Sequence, residues 1–239
     1  MKLMTIGIAV CLSDGALLIA DGLVVVPPTK NYSRARAVST DLRKITRIGS
    51  TLAAIKIGIE IGTEHALSMI NRSALDIATS VEDIVTEIER CSLAGWEHLL
   101  SKLGSDDDPT NEHLRVIFLV GGYIRASPMG GLILATLYRP EGHCAPLVKT
   151  TRNKLIVIGG EDQDAQELFR NYAQREYDQL SRAQLASNGS GIRNYFVNAM
   201  ISAGVRTINE VSVSDPLIGG TIRYTIIRRG FPITEGTCT

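Results

Sequence analysis

The chain has 239 residues, and its 25 Lys and Arg balance 25 Asp and Glu, so the formal charge is zero. Hydrophobic residues make up 44% and charged residues 21%, the proportions of an ordinary globular chain. One domain over residues 1–239 fits that length, and the balanced charge argues against a nucleic-acid-binding basic face.

No run reaches the roughly 18 apolar residues of a membrane span, so no membrane partner is expected. The cysteines (Cys11, Cys91, Cys144, Cys238) are scattered and form no C-x-x-C pair. Neither a disulfide scaffold nor a zinc knuckle is expected, and the reducing cytoplasm is the plainest compartment. The Asn-x-Ser matches at Asn31, Asn71 and Asn188 then carry no meaning.

Lys2 and the apolar run after it have the outline of a short secretory leader. However, no small-x-small site closes the run before Asp14, and Ser13-Asp14-Gly15 reads as a hairpin turn. Residues 3–12 and 16–26 are predicted as the two strands of that hairpin. Both are nearly continuous apolar runs, which predicts cover on both faces. Residues 27–40 read as a polar loop. A second hairpin is predicted over 44–48 and 51–58 around Gly49-Ser50.

Apolar residues at helical spacing predict a helix over 60–73. Ser80 and Asp83 form a capping pair that opens a helix running to about Leu103. A polar loop over 104–112 follows, then strands over 114–121, 131–138 and 154–158, with a turn at 140–142. Helices over 162–176 and 190–204 precede a last strand at 221–229 and a short tail.

Helices thus come in pairs between groups of strands, which disfavours a doubly wound parallel sheet. The expected class is α+β: a four-layer α-β-β-α sandwich of two antiparallel sheets between helix pairs.

No phosphate loop, G-x-S-x-G or H-E-x-x-H motif is present. The histidines (His65, His98, His113, His143) are dispersed, so no metal site is expected. Gly-Gly pairs at 121–122, 130–131, 159–160 and 219–220 read as strand ends or close backbone approaches.

The stretch from Met4 to Asp21, M-T-I-G-I-A-V-C-L-S-D-G-A-L-L-I-A-D, resembles the opening of a proteasome β-subunit. It is similar also to the HslV-type peptidase and to the proteasome homologue Anbu, all in the N-terminal nucleophile hydrolase superfamily. Thr5 and Asp21 stand at that superfamily's separation, and S-T-D-L-R-K-I (39–45) puts Lys44 at its lysine. Residues 44–58, 153–168 and 199–227 continue the likeness over nearly the whole chain.

The resemblance implies a threonine-type peptidase in which removal of residues 1–4 frees the α-amine of Thr5. Such an amine can take the proton of its own hydroxyl, and a neighbouring lysine lowers its pKa toward neutrality. Asp21 would orient Lys44, and Asp215 would support the site. Ala54 would offer a backbone N–H to the oxyanion. Lys56 would line the substrate pocket and favour acidic side chains.

The resemblance further implies a peptide or unfolded-protein substrate, a homo-oligomeric ring or related chamber, and no metal or cofactor. An ATP-driven unfoldase is compatible with it. Two serines of the superfamily stand here as Gly160 and Ile218. Taken singly, Thr5 reads as a strand residue, Asp21 and Asp215 as turn residues, and Lys44 and Lys56 as solvated strand lysines. Two other readings stay open: a non-catalytic subunit of this fold, and a small-amide acylase or transferase built on it.

Overall fold

The computed structural model describes residues 3–26, 36–104, 110, 114–127, 130–151, 154–160, 162–184, 192–216 and 218–238. Most of the predicted loops at 27–40 and 104–112 lie outside these residues.

The first half runs β1 (Leu3–Cys11), β2 (Gly15–Ala20), β3 (Val24–Val26), β4 (Arg36–Ser39), β5 (Ile45–Arg47) and β6 (Leu52–Gly58), then α1 (Glu60–Met69), α2 (Arg72–Ile77) and α3 (Val81–Ser101). The second half runs β7 (Val116–Gly122), β8 (Leu132–Arg139), β9 (Gly142–Lys149), β10 (Leu155–Gly160), α4 (Asp162–Gln184), α5 (Ile192–Ser214), β11 (Ile222–Arg228) and β12 (Thr234–Cys238).

Two five-stranded sheets carry the fold, ordered β10-β1-β2-β11-β12 and β5-β6-β7-β8-β9, and their strand pairings are antiparallel. Alternation along the strands splits the buried side chains into three layers. Ala9, Cys11, Leu18, Ile55, Ile57 and Leu119 fill the space between the sheets. Ile6, Ile8, Val10, Leu17 and Ile19 face Phe169 of α4 and Met200 and Ala203 of α5. Leu52, Ala54, Phe118 and Val120 face Ala66 of α1 and Ile84, Ile88 and Leu99 of α3. This is the predicted α-β-β-α sandwich. Covering both faces of each sheet is what the continuous apolar runs demanded, and each fully buried Ile or Leu contributes about 1.5–3 kcal/mol.

Local chemistry sets the boundaries. Ser80 and Asp83 form the expected capping box at the start of α3. The helix predicted over 60–73 divides in two, because the Asn71 side chain accepts the N–H of Ala74 and starts α2 afresh. The strand predicted over 16–26 stops at Ala20, and the interruption at Asp21–Leu23 builds the site.

Candidate active site

Thr5 occupies an irregular stretch of β1. Leu3 pairs with Gly160 and Gly7 with Ile158, so four steps on β1 face two on β10. The intervening residues bulge from the ladder, a distortion that frees backbone and re-aims side chains. On the other side, pairing with β2 begins at Gly7–Ala20.

Asp21 follows that last pair, and its carboxylate turns inward. Oδ1 accepts the N–H of Ile6 at 3.0 Å and Oδ2 the N–H of Gly219 at 3.3 Å. Lys44, immediately before β5, donates from Nζ to Asp21 Oδ1 at 3.0 Å and to Thr5 Oγ1 at 2.8 Å. Exposures are 8% for Thr5, 1% for Asp21 and 4% for Lys44. The structure therefore brings these three predicted residues into one buried, hydrogen-bonded chain. The readings of Asp21 as a turn residue and Lys44 as a solvated strand end do not fit that burial.

Burial pushes the Lys44 ammonium below the ordinary lysine range; Asp21 opposes this, and Lys56 adds to it. The same burial pushes the Asp21 carboxyl upward against Lys44 and the two amides. A cation in so dry a place acts strongly on its neighbours.

Asp215 is 3% exposed just beyond α5. Its N–H donates to Val211 C=O at 2.8 Å, and its own C=O accepts the N–H of Ile218 at 3.1 Å. That turn presents the Gly219 N–H to Asp21. Ile218 is buried against the α4–α5 layer and brings no hydroxyl. Gly219 has φ +137°, a conformation that strains residues with a Cβ. Sequence reasoning placed Gly219-Gly220 at a strand end but missed the amide's role; the adjacent glycines were the available signal.

Ala54 takes another position. The N–H of Ile48 donates to Leu52 C=O and that of Lys56 to Lys44 C=O, each at 3.0 Å. In an antiparallel ladder this alternation points the even-numbered amides of β6 toward β5. Ala54 lies between them, paired with Thr46, so its amide belongs to the ladder. Its assignment as the oxyanion donor is corrected on that ground. The next amide on the same side is Gly58's, level with the backbone before Lys44, where the pairing with β5 has ended. Gly58 has φ +108°, and a Cβ there would lie 2.2 Å from Arg115 O, which restricts the position to glycine.

Lys56 is only 8% exposed, and its ammonium pairs with Glu64, with Glu60 3.9 Å away. A solvent-pointing Lys56 is therefore corrected, because α1 supplies two carboxylates that hold it down. Sequence reasoning missed Glu64. Among the described residues no group of three or more His, Cys, Asp and Glu could hold a metal ion, and no helix is long and apolar enough to cross a membrane.

The architecture is an α-β-β-α sandwich that holds a buried Thr–Lys–Asp chain. Solved Anbu structures share the fold. An Anbu mutant from Hyphomicrobium sp. strain MC1 aligns with a TM-score of 0.59 and 16% identity, over 98% of this chain and 86% of that one. The Anbu complex of Pseudomonas aeruginosa, a helical assembly, aligns with a TM-score of 0.60 and 15% identity over the same shares. No protein-family model and no curated protein matches the chain.

Proposed function

We propose that the chain is a threonine-type peptidase subunit that hydrolyses peptide bonds inside a self-compartmentalising homo-oligomer. The observation that carries this reading is the contact of Lys44 Nζ with both Thr5 Oγ1 and Asp21 Oδ1. Buried polar groups need partners. Asp21 takes one of the ammonium's three N–H donors, and a second is aimed at the threonine hydroxyl, an arrangement that suits chemistry at that oxygen.

The mechanism requires cleavage between Met4 and Thr5, within the bulged stretch of β1. The freed α-amine takes the proton of Oγ1 as Oγ1 attacks the scissile carbonyl. The carbonyl π electrons move to oxygen, and the Gly58 N–H stabilises that oxyanion. Collapse of the tetrahedral intermediate expels the leaving amine, which receives the proton from the α-ammonium. Water then hydrolyses the ester, with the same amine as its base. Lys44 keeps the α-amine unprotonated near neutral pH and is itself held by Asp21.

Lys56 lines the substrate pocket, with Glu64 neutralising it. Glu64→Gln is expected to raise kcat/KM for an acidic residue before the scissile bond about tenfold relative to a neutral one, the scale of one uncovered charge. Matched fluorogenic peptides measure the ratio.

A non-catalytic subunit of this fold is the second reading, favoured by Gly160 and the buried Ile218 in place of two hydroxyl-bearing residues. Assay of the purified protein on peptides and on simple acyl-amides separates the readings. Peptidase turnover supports the proposal. Turnover of acyl-amides alone, or of neither, rejects it.

A further inference from the structure

Lys44 is the first residue after a linking segment, 40–43, that has no sheet of its own. Lys44's own C=O accepts the Lys56 N–H at 3.0 Å, which fixes its backbone to β6 on one side, and the linking segment sets its approach on the other. Two backbone hydrogen bonds tie the segment to other parts of the chain: Thr221 N–H donates to Thr40 C=O at 2.8 Å, and Leu42 N–H donates to Gly22 C=O at 2.9 Å. The last hairpin ties both a backbone carbonyl and side chains of the segment. Arg223 of β11 donates from Nη1 to Leu42 C=O at 3.2 Å and from Nη2 to the Asp41 carboxylate. Glu235 of β12 receives Arg43 Nη2 at 2.6 Å and Arg47 Nε at 3.5 Å.

These contacts differ in weight. The pairs to Glu235 are exposed on both sides, with half or more of each arginine side chain in solvent, so they contribute little. Arg223 is different: its side chain is only 21% exposed, and although the Asp41 side chain is 68% exposed, the planar fork grips the Leu42 carbonyl as well as that carboxylate, on adjacent residues at once. A lysine could not reproduce that two-point grip. Arg223 also holds the Asp41 carboxyl below the usual carboxylate range.

We propose that Arg223 is a positioning residue which, by clamping Asp41 and Leu42, delivers Lys44 to Thr5 and Asp21. Its catalytic side rests on the peptidase reading above; the positioning itself does not. An ammonium with 4% exposure has much hydration to regain by swinging out. Its contacts with Asp21 and Thr5, its backbone tie to β6 and the linking segment together hold it in, and Arg223 is a half-buried side chain that grips that segment two residues before the ammonium's own backbone.

The test is pulse labelling of lysines with an acetylating reagent on the assembled full chain, read by peptide mass spectrometry. Lys56 serves as the internal reference, since it is nearly as buried on the adjacent strand. In Arg223→Ala, Lys44 should label about tenfold faster while Lys56 keeps its rate, as expected for a local opening. In peptidase-active protein the same variant should lose about tenfold in kcat with KM unchanged, because positioning is lost and substrate binding is not. Arg223→Lys should fall between wild type and Arg223→Ala. Equal acceleration of both lysines marks loss of the fold, and Arg223→Lys then decides by the same reading. An unchanged Lys44 rate in a folded variant overturns the proposal. A wild-type protein without peptidase activity would reject the functional reading alone, because the labelling needs no turnover.

Discussion

Thr5→Ala is expected to reduce peptide turnover by about a millionfold, to the level of the assay blank, because removing a nucleophile that acts with its base leaves little behind. The fold should survive. Thr5 Oγ1 accepts one hydrogen bond, from Lys44, which keeps Asp21 as its partner. Loss of that bond to a charged donor costs about 1.5–3 kcal/mol. Thr5→Ser, which keeps both alcohol and amine, should retain measurable turnover. Steady-state kinetics beside thermal unfolding checks all three statements. Full activity in Thr5→Ala would place the nucleophile elsewhere.

Lys44→Met should remove activity and stability together. Asp21 is 1% exposed, and its remaining partners are the N–H groups of Ile6 and Gly219. Stripping the cation from a buried pair costs about 3–5 kcal/mol, which lowers the unfolding midpoint by about 10 °C in a chain of this size.

The loss should depend on pH, with a definite sign. Burial raises the folded-state pKa of Asp21 above its unfolded value, and removal of Lys44 raises it further. The folded state then binds more protons than the unfolded state between those two values. Stability is therefore greatest below the ordinary carboxylate pKa and is lost as pH rises through the raised one. Unfolding of Lys44→Met near pH 5 should be less impaired than near pH 8. Adding Asp21→Asn should recover about 2 kcal/mol while leaving the protein inactive, since no uncompensated charge remains buried. Recovery of turnover in that double variant would contradict the role given to Lys44.

The sequence disclosed the central strands and the α3 cap because their residues have one reading. Ile6–Leu12 and Gly15–Ala20 are too apolar to lie anywhere but between two covers, and Ser80 with Asp83 has a single local use. Two of the four edge strands of the five-stranded sheets, β9 and β12, were missed. β9 contains Pro146 and alternates exposed with half-buried residues, and β12 (TEGTC) is short and polar. Edge strands need neither apolar faces nor a complete set of donors. The helices α4 and α5 extend eight and ten residues beyond their predicted ends at 176 and 204. The C-terminal turns of α4 are mainly polar and carry little apolar periodicity, whereas those of α5 bring Val205, Ile208 and Val211 at helical spacing, a signal the sequence offered and sequence reasoning overlooked.

The site divides in the same way. Thr5, Asp21 and Lys44 came from their spacing and from the superfamily likeness. The break after Ala20 was hidden, because the run ALLIADGLVVV reads as one strand. The amides of Gly219 and Gly58 have no side-chain signature, and the misassigned Ala54 shows the cost: neighbouring residues of a strand differ by which ladder their N–H joins. Glu64 was invisible because its relation to Lys56 exists only once α1 folds back beside β6.

The central claim is that the α-amine and the hydroxyl of Thr5 work together beside Lys44. Intact mass spectrometry of the assembled, peptidase-active protein tests it most directly. The account predicts a mature chain beginning at Thr5. A protein that retains Met1–Met4 and still cleaves peptides would contradict it, because an amide nitrogen cannot serve as the base.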